Sequence, residues 1–337
     1  RNNAKLVCAR DAGGALILGA YAPRSHDVVD LRGCRIVEPP LDAATVALAE
    51  ALGAAGVVPY DERQLTGDLR HTVLRCNFRG QVLATLVTAR RPWAAGPTIA
   101  ADLVARCPAV AGVVQNVNPT RGNVILGEEE IPLAGERALM EEIGSARLRL
   151  SARAFFQANR AVAALAYAHI ARAVGRVERV VDAYCGVGGI ALTLAPRART
   201  VVGIESNLAA VADATDAAAE AGIAHARFVA ADATLGLRAL APVAEGTADA
   251  VVLNPPRKGC APAVLREVLR LRPRVIAYLS CAPDTLARDL SALVADPAAG
   301  YAVESVTPYD MLPHTPHVEA LAVIRQRPQT AKSPSDR

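Results

Sequence analysis

The spacing of apolar positions changes character near residue 150. Before it, short alternating runs predict strands over Lys5–Ala9 and Ala15–Ala20, joined by the turn Asp11-Ala12-Gly13-Gly14. A second alternating pair, Thr72–Phe78 and Gln81–Thr88, flanks Arg79-Gly80. Ala43–Leu52 and Thr98–Arg106 carry helical spacing, Val110–Asn116 reads as a strand, and Val124–Leu126 follows a turn-rich loop as a further short one. From about Ser151 apolar strands alternate with helices. The strands are Val180–Ala183, Val201–Glu205, Ala226–Ala230, Ala248–Leu253 and Val275–Ser280. The helices are Arg160–Val174, Leu208–Ala221, Ala263–Leu271 and Pro283–Leu293. Such alternation predicts a parallel sheet covered on both faces. Tyr301–Thr307 and Val318–Ile324 lie too close together for a crossover and predict an antiparallel edge pair.

Two domains follow: a smaller α+β domain over residues 1–150 and an α/β domain over 151–326, with a polar, disordered tail over 327–337. The length of 337 residues and 52% hydrophobic content suit two cores. No apolar run reaches the roughly 20 residues of a membrane span, so the expectation is a cytoplasmic protein away from membranes. The chain begins at Arg1 without an apolar leader, which reads as a trimmed product or a fragment.

Charge changes this picture only slightly. The net charge is +4, and of 37 basic residues only Lys5, Lys258 and Lys332 are lysines. Arginine suits bidentate phosphate contacts, but a GC-rich genome produces the same bias. The seven cysteines include no CxxC pair, which argues against a disulfide framework and a self-contained zinc site. His314 and His317 lack a third ligand nearby, so no metal is expected.

The chemistry-bearing residues gather at predicted strand ends. Val180–Ala183 runs into Tyr184-Cys185-Gly186-Val187-Gly188-Gly189, a glycine turn that lets backbone approach a ligand. Glu205 closes the next strand, where an acid accepts both hydroxyls of a ribose. The spacing is not that of a dinucleotide fingerprint. It resembles motif I of class I methyltransferases, with Asp232 at the place that holds the adenine amino group. Asn254-Pro255-Pro256-Arg257-Lys258-Gly259 forms a rigid platform after another strand. Asn-Pro-Pro alone resembles amino-group methyltransferases, but those place an aromatic where Arg257 stands. Cys281 ends the Val275–Ser280 strand just ahead of a helix, whose N-terminus is expected to favour a thiolate. Cys8, Cys76, Cys107 and Cys260 read as buried filler. Glu319 starts the last strand as a candidate general base.

Taken together, four blocks resemble the RNA uracil-C5 methyltransferases. They are Phe155-Phe156-Gln157-Ala158-Asn159, Asp182–Gly189, Asn254–Gly259 with Ser280–Asp289, and Pro313–Glu319. The resemblance implies a class I (Rossmann-like) methyltransferase sheet using S-adenosylmethionine. It makes Cys281 the nucleophile and Glu319 the base, and sets Gln157, Tyr184, Gly186, Gly189, Glu205, Asp232 and Asn254 on the donor side. Two positions depart from the family: Asn254 stands where Asp is usual and Gly189 where Asn is frequent. The front half, through Asp27–Ile36, resembles the central domain of the 23S ribosomal RNA branch and implies an RNA-contacting role. There Cys34 corresponds to one ligand of an iron–sulfur cluster; alone it cannot hold one, so none is expected. The implied partner is RNA, 23S rRNA ahead of the tRNA T-loop, acted on by a monomer. Two rival readings stay open: an amino-group methyltransferase built on Asn254-Pro255-Pro256, and a catalytically decayed RNA-binding protein.

Overall fold

The computed structural model describes residues 1–62, 64–122, 124–240, 248–297 and 299–327. Among them, no helix is long and apolar enough to cross a membrane. The polar end expected to be disordered lies, from residue 328 onward, outside the described residues; Arg327 itself donates its backbone N–H to Gly300. Contacts divide the chain into two compact units, Arg1–Glu142 with Arg149–Ala154, and Ile143–Leu148 with Phe155 onward.

The front unit is built on β1 (Asn3–Arg10), β2 (Leu16–Tyr21), β3 (Val28–Asp30), α1 (Pro39–Ala54), β4 (Leu69–Cys76), β5 (Val82–Thr88), α2 (Gly96–Arg106), β6 (Val110–Val117) and β7 (Glu129–Gly135). The seven strands form one sheet in the order β3-β2-β1-β4-β5-β6-β7. Only β5 and β6 run parallel, because α2 carries the chain between them. Prolines open α1 and α2, where a missing N–H costs nothing. Leu41, Leu48 and Leu52 of α1 join Ile99 and Leu103 of α2 over Leu18, Leu74 and Leu86 of the sheet. Val124–Leu126, expected as a strand, is not one. The Asn118 side chain takes the Val124 and Ile125 carbonyls at 2.6 and 3.0 Å, so a side-chain amide replaces a strand partner. β7, which the apolar pattern left unmarked, contains Pro132 and forms the sheet edge, where a lost donor is tolerated. β8 (Ala138–Ile143) and β9 (Ala146–Ser151) then pair as a hairpin.

The second unit is the expected α/β sheet with an antiparallel edge. Its elements are α3 (Arg160–Val174), β10 (Val177–Ala183), α4 (Gly189–Leu194), β11 (Ala198–Glu205), α5 (Leu208–Glu220), β12 (Ala226–Ala230), α6 (Ala233–Ala239), β13 (Ala250–Leu253), α7 (Pro262–Arg270), β14 (Val275–Ser280), α8 (Pro283–Val294), β15 (Tyr301–Tyr309) and β16 (Glu319–Gln326). Strand order is β12-β11-β10-β13-β14-β16-β15. β10 to β14 pair parallel, and β16 runs antiparallel to both neighbours. Alternate residues Val181, Val202, Val251, Ile276 and Ala322 meet α6, α7 and α8 in one core. Their neighbours Val180, Val201, Val252, Ala277 and Val323 are buried as well, so the sheet is covered on both faces. Asn159 caps α3 through Val162 N–H and Asn207 caps α5 through Ala209 N–H, fixing where both helices begin.

Candidate active site

Tyr184, Gly186, Glu205, Asp232, Asn254 and Cys281 follow or end the parallel strands at their carboxyl ends, whereas Gln157 precedes α3 and Glu319 begins the antiparallel β16. After β10, Tyr184 and Gly186 adopt left-handed conformations (φ 66° and 54°), turning the chain sharply into α4. Gly186 donates its N–H to Glu205 Oε2 at 3.1 Å, so the glycine turn and the acid ending β11 form one unit. The other Glu205 oxygen accepts from Asn207 N–H at 2.8 Å and the Ser206 hydroxyl at 3.1 Å. Asp232, two residues past β12, is exposed and caps α6 through Thr234 N–H at 2.8 Å. The Asn254 N–H joins the Ala183 carbonyl at 3.4 Å, setting the Asn-Pro-Pro turn beside the glycine turn. Gln157 is buried two residues ahead of the cap of α3.

Gly189 sits in α4, where an added Cβ would lie 3.0 Å from the Tyr167 ring and 3.2 Å from its hydroxyl. Tyr167 of α3 therefore fills the space a side chain at 189 would take. It is buried, and burial together with the nearby carboxylates of Asp182 and Glu319 raises its hydroxyl. Asp182 is fully buried; its Oδ2 accepts Ala191 N–H at 2.9 Å, while Oδ1 has no partner. Burial, with Glu205 adding to it, lifts this carboxyl to about 8. Neither Tyr167 nor Asp182 was singled out from sequence as a site residue: Tyr167 falls on the apolar spacing of α3, and Asp182 is one polar residue near the end of an otherwise apolar strand, β10.

At the other end of the site the β14–β16 ladder pairs Ser280 with Ala320, which brings Cys281 and Glu319 to adjacent positions on the α3 side of the sheet. Glu319 is 8% exposed, and burial raises its carboxyl to about 7 against the opposing pull of Arg257. Cys281 is half-buried. Its thiol is raised by burial first and by Glu319 second, while Arg257 lowers it through charge and a side-chain hydrogen bond. This corrects the expectation that the helix N-terminus favours the thiolate: desolvation and a neighbouring carboxylate outweigh it, and the cation beside the sulfur is Arg257.

Arg257 owes its place to a buried network. Asp289 of α8, 1% exposed, accepts the Tyr278 hydroxyl at 2.6 Å and Cys260 N–H at 2.8 Å on Oδ2. Arg288 pairs with Oδ1 at 2.7 Å and donates to the Lys258 and Cys260 carbonyls. Thr285 Oγ1 donates to the Arg257 carbonyl at 3.1 Å. Cys260, read as filler, is buried, and its thiol also shares hydrogen bonds with Tyr278 and Tyr184. At Gly259 (φ 73°) a Cβ would fall 2.6 Å from Arg288 Nη2 and 2.7 Å from Asp289 Oδ2, so only glycine fits. Among the described residues no three His, Cys, Asp or Glu side chains gather as metal ligands.

Residues 144–327, more than half of the chain, match the model of the tRNA (uracil-5-)-methyltransferase family. An uncharacterized RNA methyltransferase of Geobacter sulfurreducens is 42% identical over 96% of this chain, and one of Halalkalibacterium halodurans is 37% identical over 96%. The chain spans 65% of the length of the former and 70% of the latter. A solved tRNA (uracil-54, C5)-methyltransferase of Pyrococcus abyssi, in complex with S-adenosyl-L-homocysteine, superposes with a TM-score of 0.77 at 25% identity, over 96% of this chain and 75% of that one. The chain belongs to the tRNA (uracil-5-)-methyltransferase family.

Proposed function

We propose that this protein transfers a methyl group from S-adenosylmethionine to C5 of a uridine in RNA, with Cys281 as nucleophile and Glu319 as base. The observation that carries the reading is the placement of Cys281 and Glu319 side by side with Arg257 acting on both. The donor fits the residues present. Space over the left-handed Gly186 is open, Glu205 stands at the strand end beside it, and Asp182 Oδ1 is a buried acceptor lacking a partner. Glu205 would hold the ribose hydroxyls and Asp232 the adenine amino group. Tyr184, Gly186, Gly189, Gln157 and Asn254 complete the donor side. When bound, S-adenosylmethionine supplies an electrophilic methyl.

Uracil C5 is a poor nucleophile. Addition of the Cys281 sulfur at C6 breaks the C5–C6 double bond and gives C5 enolate character, which makes it reactive toward a methyl electrophile. Arg257, hydrogen-bonded to the sulfur, favours the thiolate that burial and Glu319 oppose. Once C5 is methylated it carries a surplus proton. Glu319 removes it, the C5–C6 double bond re-forms, and the Cys281 sulfur departs as thiolate. A carboxyl with a pKa of about 7 is well matched to accept and release that proton near neutral pH. The target base must leave its stack to reach these groups. The amino-group alternative has no use for either Cys281 or Glu319.

The front unit, residues 1–150 in the domain reading, contacts the RNA, and the protein acts as a cytoplasmic monomer. Its resemblance to the 23S branch makes 23S rRNA the first substrate to test. The Pyrococcus structure supports tRNA as the second. Purified protein is incubated with donor and with each RNA, and nucleosides are analysed by mass spectrometry. 5-Methyluridine from wild type and none from Cys281→Ala is the expected result. Full activity of Cys281→Ala, or a methyl on an exocyclic amine, overturns the mechanism. Inactivity of wild type on every RNA supports the decayed RNA-binding reading.

A further inference from the structure

The opposite end of the methyltransferase sheet carries a second feature. At the amino-terminal ends of β10, β11, β13 and β14 lie two cavities of about 540 and 640 Å³ that share Arg176, Val177, Asp249 and Arg274 in their walls. Arg325 and Arg327 line the first, Arg197 and Arg199 the second. Six arginines thus crowd one edge of a chain whose net charge is only +4.

Their local neutralisation is incomplete. Asp249 is engaged by Arg274 at 3.1 Å and by the N–H groups of Glu178 and Arg179. Arg325 pairs with Glu304, and Arg199 reaches Glu178 at 3.6 Å with both side chains more than three-quarters exposed. An exposed pair of that length contributes little and is readily exchanged for another anion. Arg176, Arg197 and Arg327 are exposed and have no side-chain partner among the described residues. Three guanidinium groups without a side-chain partner, beside the loosely paired Arg199 and the ion-paired Arg274 and Arg325, set in concave surface, form a receptor for repeated phosphates.

We propose that this edge is a second contact for the RNA backbone, away from the reacting base. The inference rests on the RNA-substrate reading. β10 has seven residues at about 3.3 Å each, so the cavities lie roughly 20 Å from the donor turn. At about 3.4 Å per phosphate along one strand of a helix, that distance corresponds to about six nucleotides. The arginines therefore engage only RNA that extends well beyond the target uridine. They raise affinity for any sequence and leave the chemical step alone.

The test compares wild type with the triple variant Arg176→Gln, Arg197→Gln, Arg327→Gln in RNA binding as a function of KCl concentration. Neutralising three contacts is expected to reduce the slope of log Kd against log salt by about 2–3 and to weaken binding about tenfold at moderate salt. Single-turnover methyl transfer at saturating RNA stays at the wild-type rate. Oligonucleotides too short to leave the catalytic end bind both proteins equally. An unchanged slope with long RNA, in a variant that melts like wild type, overturns the proposal. So does a loss of binding to anionic lipid vesicles with RNA binding intact, which assigns the edge to a membrane surface. Failure of wild type to methylate RNA counts against the substrate reading alone, because the salt slope is measured independently of activity.

Discussion

The β14–β16 ladder closes on the Ser280–Ala320 pair, Cys281 and Glu319 are the next residue of each segment beyond it, and the Glu319 charge acts on the Cys281 thiol while Arg257 acts on both. Glu319 disfavours the Cys281 thiolate; Arg257 favours both anions. A parallel strand and the antiparallel strand beside it thus bring together the proposed nucleophile and base from sequence positions 38 residues apart.

The coupling is measurable without substrate. Alkylation of Cys281 by iodoacetamide, followed by peptide mass spectrometry across pH, reports its thiolate. Glu319→Gln removes the repelling charge, so the midpoint is expected to move to lower pH. Arg257→Ala removes the attracting charge, so it is expected to move higher. Midpoints unchanged in both variants refute the proximity argued from the ladder.

Glu319 also makes stability depend on pH. Its folded value of about 7 lies above the ordinary 4.5, so the folded state binds the proton more tightly than the unfolded chain does. That contribution is complete below about pH 4.5 and is lost as pH rises through 7. The shift corresponds to about 3 kcal/mol. Denaturant titrations should therefore show wild type losing stability from pH 5 to 8 more than Glu319→Gln does. Parallel curves for the two proteins contradict the assigned burial. Asp182, raised to about 8, adds to the same trend in both.

Gly259 tests the support of Arg257. A methyl there meets Arg288 and Asp289 at 2.6–2.7 Å in a left-handed backbone. Gly259→Ala is expected to cost about 1–3 kcal/mol and to displace the loop that carries Arg257. Two readouts should move together: methyl transfer slows, and the Cys281 alkylation midpoint rises as it does in Arg257→Ala. A lower melting temperature with an unmoved midpoint shows that the network is structural only.

Much of this was legible in the chain. The strand–helix alternation after Ser151 gave the sheet, and α3, β12 and β14 begin and end where the apolar runs do. Asn159, Pro262 and Pro283 mark helix starts by their chemistry. Polar edges were less legible: β7 and β8 alternate weakly in sequence, β9 alternates cleanly but over only six residues, and α4 and α6, of six and seven residues, are shorter than a periodicity can define. The local motifs around Cys281, Glu319 and Glu205 were visible. The direction of the Cys281 shift was not, because it depends on a carboxylate and a guanidinium that only the fold brings near. Tyr167 opposite Gly189 is of the same kind: nothing along the sequence couples a helix position to a glycine 22 residues on.

The covalent step gives the most direct test of the chemistry. Glu319→Gln preserves shape but cannot take the C5 proton, so elimination is expected to slow by about 10²–10⁴. Methylated RNA should then remain attached to Cys281 and migrate as a retarded band on a denaturing gel. RNA carrying 5-fluorouridine should trap wild type in the same way, since fluorine does not leave as a proton does. Cys281→Ala should give neither band while binding S-adenosylmethionine as wild type does, because Glu205, Gly186 and Asp182 do not rely on that sulfur. The double variant Cys281→Ala/Glu319→Gln should also give none, which ties the retarded band to the thiol rather than to tight binding. A band that survives loss of Cys281 places the bond on another residue and removes Cys281 from the mechanism.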